Sequence, residues 1–167
     1  IGKFKVDVLK DHIEGLNSHC KVSTLKNKSW EMNFNEYSSE MIFDCSDNFR
    51  TKYSLNEACV NNNIPFCNAS VSDSDGQIAL FANKVDSHCC YNCLFPENGD
   101  IDANDCAEAG VLGPTVSLVA SLQALIGLKY LLNKFNDTET IFRVSSKKIS
   151  LEKNKILSNS SCRLNKL

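Results

Sequence analysis

Met41-Ile42-Phe43-Asp44-Cys45-Ser46-Asp47-Asn48 is the stretch on which the fold turns. Three apolar residues halted by an acidic one read as a short, buried parallel strand. Downstream, Phe49 to Asn61 returns to helical spacing, with Tyr53, Leu55, Ala58 and Cys59 apolar, and Ile64 to Cys67 is a second short strand with Pro65 near its edge. Upstream, residues 3 to 17 read as a helix. Val6, Leu9, Ile13 and Leu16 share one of its faces, and Asn17 is its C-terminal cap. Lys21 to Leu25 alternates as a strand does, and Ser29 to Glu40 reads as a short strand followed by a helical turn. Helix, strand, helix, strand is the pattern of an α/β sheet with crossover helices.

Beyond Cys67 the pattern changes. Ala69-Ser70-Val71, a turn over Ser72 to Gly76, and Gln77 to Phe81 form an expected hairpin. A cysteine-rich loop over residues 86 to 110 follows, then a long helix from about Pro114 to Asn133. Glu139 to Leu151 reads as two short strands around Ser145 to Lys148. With no internal repeat and no low-complexity linker, residues 1 to 167 are expected to form a single domain. Val111 to Leu128 holds no charge over eighteen residues, which reaches the length of a membrane span. Thr115, Ser117, Ser121, Gln123 and Gly127 make it polar enough to favour burial against a sheet or a subunit partner instead, so no membrane association is expected.

The 167 residues carry a formal net charge of −2, which gives no footing for electrostatic capture of nucleic acid. Nine cysteines, an odd number with scattered spacing, argue against a disulfide framework and for a reduced, cytoplasmic protein with buried or metal-bound thiols. Residue 1 is Ile, so the sequence is expected to be part of something longer.

Three places hold residues suited to chemistry. Asp47 and Asn48 follow a strand whose carboxyl end, in an open α/β sheet, borders the ligand crevice. A carboxylate there holds Mg²⁺ beside a polyphosphate, with the Asn48 amide orienting the same group; equally, Asp47 caps the helix that follows. Both readings are open at this stage. Cys90-Tyr91-Asn92-Cys93 is half of a four-thiolate zinc knuckle. Downstream the second pair is reduced to Cys162, with Asn165 three residues on, and His88 or Cys89 is a candidate replacement. An intact and a decayed zinc site are both compatible with that spacing. Cys106 precedes Gly110-Val111-Leu112-Gly113-Pro114, a turn opening the long helix, where free N–H groups favour a thiolate.

Taken together these words resemble the ThiF/MoeB/HesA family, adenylyltransferases that activate ubiquitin-like sulfur carriers and are related to ubiquitin-activating enzymes. The matching words are Ile1-Gly2-Lys3-Phe4-Lys5-Val6, Leu16-Asn17, Asp44 to Phe49, Asn56-Glu57-Ala58-Cys59, Cys90 to Pro96, Cys106 with Gly110 to Pro114, and Gln123-Ala124. The resemblance implies a Rossmann-like ubiquitin-activating-enzyme fold with a cysteine-rich crossover loop and C-terminal antiparallel strands. It implies attack by a carrier's C-terminal glycine carboxylate on the α-phosphate of ATP. Asp47 would hold Mg²⁺ with Asn48 beside it, Lys5 would contact the phosphates, and Cys106 would attack the adenylate or join a later persulfide or thioester step. Cys90, Cys93 and Cys162 match zinc ligands. The implied partners are a β-grasp carrier ending in Gly-Gly and a second copy of the enzyme, in molybdopterin or thiamine biosynthesis.

The family's Gly-rich nucleotide loop, ribose-binding acid and Arg finger are not among these residues, which match the part that follows them. Lys52 stands where the family usually has Arg, keeping the charge and losing the bidentate fork. Two other readings compete: a catalytically inactive relative that docks carriers or dimerises, and a small zinc or redox protein built on Cys90 and Cys93.

Overall fold

The computed structural model describes residues 2–84, 89–97 and 110–164. The chain divides into two compact units, Ile1–Met32 and Asn33–Leu167.

The smaller unit is built on one helix, α1 (Lys5–Leu16). Asp7 sits in its first turn, where a negative charge faces the helix dipole favourably, and pairs with Lys26 at 2.8 Å. The Asn17 N–H donates to the Ile13 carbonyl and closes the last turn, but in extended rather than left-handed backbone. Lys21 to Leu25, which alternates like a strand, is irregular coil. Alternation alone does not make a strand; a ladder partner does, and among the described residues it has none. The expected strand at Ser29 is also absent: the stretch forms two short 3-10 turns, Ser29–Glu31 and, in the larger unit, Phe34–Glu36.

The larger unit is a five-stranded sheet in the order β1 (Ile42–Asp44), β2 (Phe66–Ser72), β3 (Asp75–Phe81), β4 (Thr140–Ser145) and β5 (Ser150–Lys155). Only β1 and β2 are parallel, joined by the crossover helix α2 (Phe49–Asn62). Asn63 ends α2 in the left-handed region at φ 53°, its N–H reaching back to Cys59 and Val60. That cap, and the Ile64 N–H that also bonds Cys59, carry the chain past Pro65 before pairing begins. The two short strands read around Cys67 are therefore one strand starting at Phe66.

Gly76, read as a turn residue, lies inside β3 opposite Val71. The turn itself is Asp73-Ser74, with Asp73 at φ 51°. Glycine is needed at 76 for a packing reason, since a Cβ there would lie 2.3 Å from Cγ2 of buried Val119.

Side chains alternate across the sheet. On one face Phe66, Ala79, Phe81 and Ile141 meet Tyr53 and Cys59 of α2 and Tyr91 of the short helix α3 (Tyr91–Leu94). On the other, Cys67, Ile78, Leu80 and Val144 meet Val119 and Ile126 of α4 (Gly113–Leu131). By length and composition α4 could cross a bilayer, yet Thr115, Val119, Gln123, Ile126 and Gly127 form a buried stripe on it, and it packs on β2 and β3. At the far edge β5 is largely exposed and polar, and Ile149 at the tip of the β4–β5 hairpin is 93 % exposed with φ 50°.

The core thiols make stability depend on pH. Burial, aided by the nearby Asp44 charge, pushes Cys59 and Cys67 from an ordinary 9.0 up to about 12. Between those values the unfolded chain releases protons that the folded chain keeps. Stability is thus complete below pH 9.0 and falls above it, by about 1.4 kcal/mol per pH unit for each thiol. Urea titrations across this range are expected to show that slope, and replacing both cysteines by alanine should make it shallower by their share.

Candidate functional site

The parallel ladder stops at the pair Asp44 and Asn68, while β2 runs on to Ser72. The turn Cys45–Asn48 therefore leaves the sheet where a crevice opens, at the carboxyl end of β1. Asn48 is the N-cap of α2: its Oδ1 accepts from the Thr51 N–H at 2.8 Å. Capping thus falls to Asn48, not Asp47. The Asp47 side chain is exposed, and among the described residues its hydrogen bond is the one it accepts from Asn48 Nδ2 at 3.4 Å.

Asp47 and Asn48 line the mouth of a cleft of about 640 Å³ on the α2 side of the sheet. Its floor comes from β2 to β5, its apolar wall from Tyr91 and Phe95, and its far end from Arg143, Lys147 and Lys148. Lys147 is held by Asp73 at 2.6 Å, a hydrogen-bonded pair that pulls the exposed Asp73 carboxyl below its usual range. Asp75 and Glu152 also line the cleft, so a space of this size offers both cations and carboxylates to a polar ligand. The exposed Asp47 carboxylate at the end of β1 fits Mg²⁺, which usually takes one or two protein carboxylates and completes its shell with water and substrate phosphates.

Behind the turn lies a buried network that the sequence reading did not single out. Lys52, 4 % exposed, pairs with Asp44, 1 % exposed, at 2.9 Å. Asn68 Nδ2 donates to the same carboxylate at 2.6 Å. Gln123 Nε2 bonds the carbonyls of Asp44 and Cys67, both at 2.9 Å. Asp44, Lys52 and Gln123 were each named in the sequence, but nothing there joined them.

A second cluster lies where α3 meets the C-terminal tail. The Cys90 sulfur is 3.9 Å from that of Cys93 and 3.6 Å from that of Cys162, and all three lie within 4.8 Å of one another. Tetrahedral zinc with Zn–S bonds of about 2.3 Å requires S···S separations of about 3.8 Å, so these residues fit the ion. The chain sets the knuckle from α2: Asn56 Oδ1 accepts from the Tyr91 N–H at 3.0 Å, and its Nδ2 donates to Asn92 at 2.8 Å. Burial, then the neighbouring Cys93 and Cys162, push Cys90 up to about 12. Burial also opposes ionisation of Cys93, but N–H groups of Asn159 and Cys90 outweigh it, and the Cys93 thiol sits below its ordinary value. Cys89 lies beside this cluster: its side chain hydrogen-bonds Cys93, and its sulfur also reaches the Leu157 carbonyl at 3.8 Å.

The structure thus places Asp47 with Asn48, and Cys90 with Cys93 and Cys162. Lys5 opens α1 in the smaller unit. Cys106, His88 and Asn165 lie outside the described residues.

The chain is similar to known proteins in sequence and in fold. A 34% identical stretch of 137 residues aligns with "Adenylyltransferase and sulfurtransferase MOCS3" of Culex quinquefasciatus, covering 79% of this chain and 30% of that protein. The "Sulfur carrier protein ThiS adenylyltransferase" of Escherichia coli K12 is 38% identical over 93 residues, 56% of this chain and 36% of that protein. Among solved structures, E. coli MccB with ATP superposes with a TM-score of 0.77 at 19% identity, covering 99% of this chain and 52% of that one. PaaA gives 0.73 at 16% identity, covering 94% and 56%. The fold is therefore that of MccB, and the chain spans about a third of its curated relatives' length and half of its structural neighbours'. The ThiF family profile matches residues 1–164, nearly the whole sequence: the chain belongs to the ThiF family.

Proposed function

We propose that this chain is part of a cytoplasmic, homodimeric enzyme that uses ATP to adenylate the C-terminal glycine of a ubiquitin-like sulfur carrier, for sulfur transfer in cofactor biosynthesis. The observation that carries the reading is Asp47 itself: Asn48 relieves it of capping, and it stands exposed at the mouth of a cleft open at the end of β1. In the proposed reaction the carrier carboxylate forms a bond to the α-phosphorus of ATP, and the bond to the pyrophosphate leaving group breaks. Magnesium bound at Asp47 would supply positive charge for the phosphates. Asp47 would hold that charge in place and Asn48 fixes the start of α2; by the family resemblance, Lys5 would contact the phosphates of ATP. Tyr91 and Phe95 exclude water from one wall of the cleft, where an extended carrier tail would lie. Cys106 is the proposed nucleophile toward the adenylate or in a later persulfide or thioester step. Zinc at Cys90, Cys93 and Cys162 would tie the tail to α3, a structural rather than a chemical task.

The test is exchange of labelled pyrophosphate into ATP by the protein expressed from its complete gene. Exchange is expected only when a carrier ending in Gly-Gly is present. Carrier binding without exchange would instead make the protein an inactive docking relative.

A further inference from the structure

We propose that the buried Asp44–Lys52 pair, tied to Gln123 of α4, positions the Asp47–Asn48 turn for the adenylation proposed above, a reading on which this inference rests. Past Asp44 no ladder bond to β2 holds the chain, so the turn needs another anchor. An ammonium has three N–H groups, and Lys52 uses three acceptors: Asp44 Oδ2 at 2.9 Å, the Ser46 carbonyl at 2.7 Å and the Ala69 carbonyl at 3.2 Å. Its charge is consumed inside the protein and is not available to a phosphate, although the side chain borders the cleft.

The other oxygen of Asp44 accepts from the Ser46 N–H at 2.9 Å. Both backbone polar groups of Ser46, the residue just before Asp47, are therefore fixed by this one ion pair. Gln123 adds its bond to the Asp44 carbonyl, and its own oxygen takes the Cys45 thiol at 3.6 Å. Three consecutive residues are pinned from below, while the carboxylate they lead to stays free for a ligand. A pair that served stability alone would have no reason to hold the backbone next to Asp47. Holding a metal-binding group by buried polar support, with the group itself left open, is how a site is preorganised. Lys52 and Asp44 are positioning residues in this scheme; neither touches substrate.

The experiment compares Lys52→Met and Lys52→Arg with wild type in the complete protein, by amide hydrogen exchange and by steady-state pyrophosphate exchange. Lys52→Met is expected to lose protection at the Ser46 amide by at least about tenfold while Ile78 and Leu80 keep theirs. Its kcat should fall about 100-fold with KM for the carrier nearly unchanged. Lys52→Arg, which keeps the charge and the donors, should regain at least about a tenth of wild-type kcat. Unchanged Ser46 protection overturns the proposal, and so does a loosened turn with wild-type kcat. Should Lys52→Met fail to fold, the double variant Asp44→Asn, Lys52→Met removes both charges together and takes its place. A wild type that exchanges no pyrophosphate would sink the adenylation reading, and the Ser46 amide would still decide whether the pair holds the turn.

Discussion

Asp47→Ala is expected to lower carrier-dependent pyrophosphate exchange by about 10³-fold, because the triphosphate loses its metal anchor. The same variant should unfold at nearly the wild-type urea concentration. Asp47 is exposed, and the cap of α2 is the Asn48 side chain, which the substitution leaves in place. That separation of activity from stability makes the result informative. A variant with wild-type exchange would remove Asp47 from the chemistry altogether, since the structure gives it no capping task to fall back on. Lys5→Ala should act in the same direction and less completely.

Zinc withdrawal should produce the second large effect. The purified protein is expected to carry substoichiometric zinc, because three thiolates leave one coordination position to an exchangeable ligand. A mild chelator should remove it and raise the rate of proteolysis in the tail beyond β5 by at least about tenfold, as the link from Cys162 to Cys90 and Cys93 is released. Each thiol sheds a proton to bind metal, so occupancy should also fall as pH falls. Elemental analysis with limited proteolysis measures both. One tightly held zinc per chain would show that a fourth protein ligand exists. A tail that stays resistant without zinc would show that contacts such as the buried Ile156 and the Arg163–Glu97 pair at 3.0 Å hold it without the ion.

What the sequence disclosed was local, and what it withheld was mostly long-range. Met41 to Asp44, the periodicity after Phe49 and the polar turn before Gln77 each declare themselves within a few residues, so β1, α2 and the first hairpin were legible. Cys90 and Cys93 were legible by spacing, and Cys162 was legible as the remnant of a second pair, but nothing in the sequence brought it to the other two across the C-terminal part of the chain. Lys21 to Leu25 misled because alternation is necessary for a strand and not sufficient. Gly76 misled because glycine marks turns and close packing alike, and only the position of Val119 distinguishes them. The assignment of the cap was decided by one residue: both Asp47 and Asn48 are good N-caps by type, and the backbone chose Asn48. The network under the turn was visible only as separate residues, since Gln123 lies 79 residues from Asp44 in sequence.

The strand order β1-β2-β3-β4-β5 repeats the order of the chain, and this sets a timetable for assembly. The β2–β3 and β4–β5 hairpins join neighbours through short turns, contacts that form on a microsecond scale. The joint between β3 and β4 is different, because the cysteine knuckle and the whole of α4 intervene, and closing so long a loop is slow. A ribosome delivers the N-terminal side first. The crossover β1–α2–β2 and the turn bearing Asp47 are therefore made before Gln123 has been synthesised. α4 arrives as a latch on a turn already in place, and a chain halted before it would bear the Asp47 carboxylate without the helix that holds its base still.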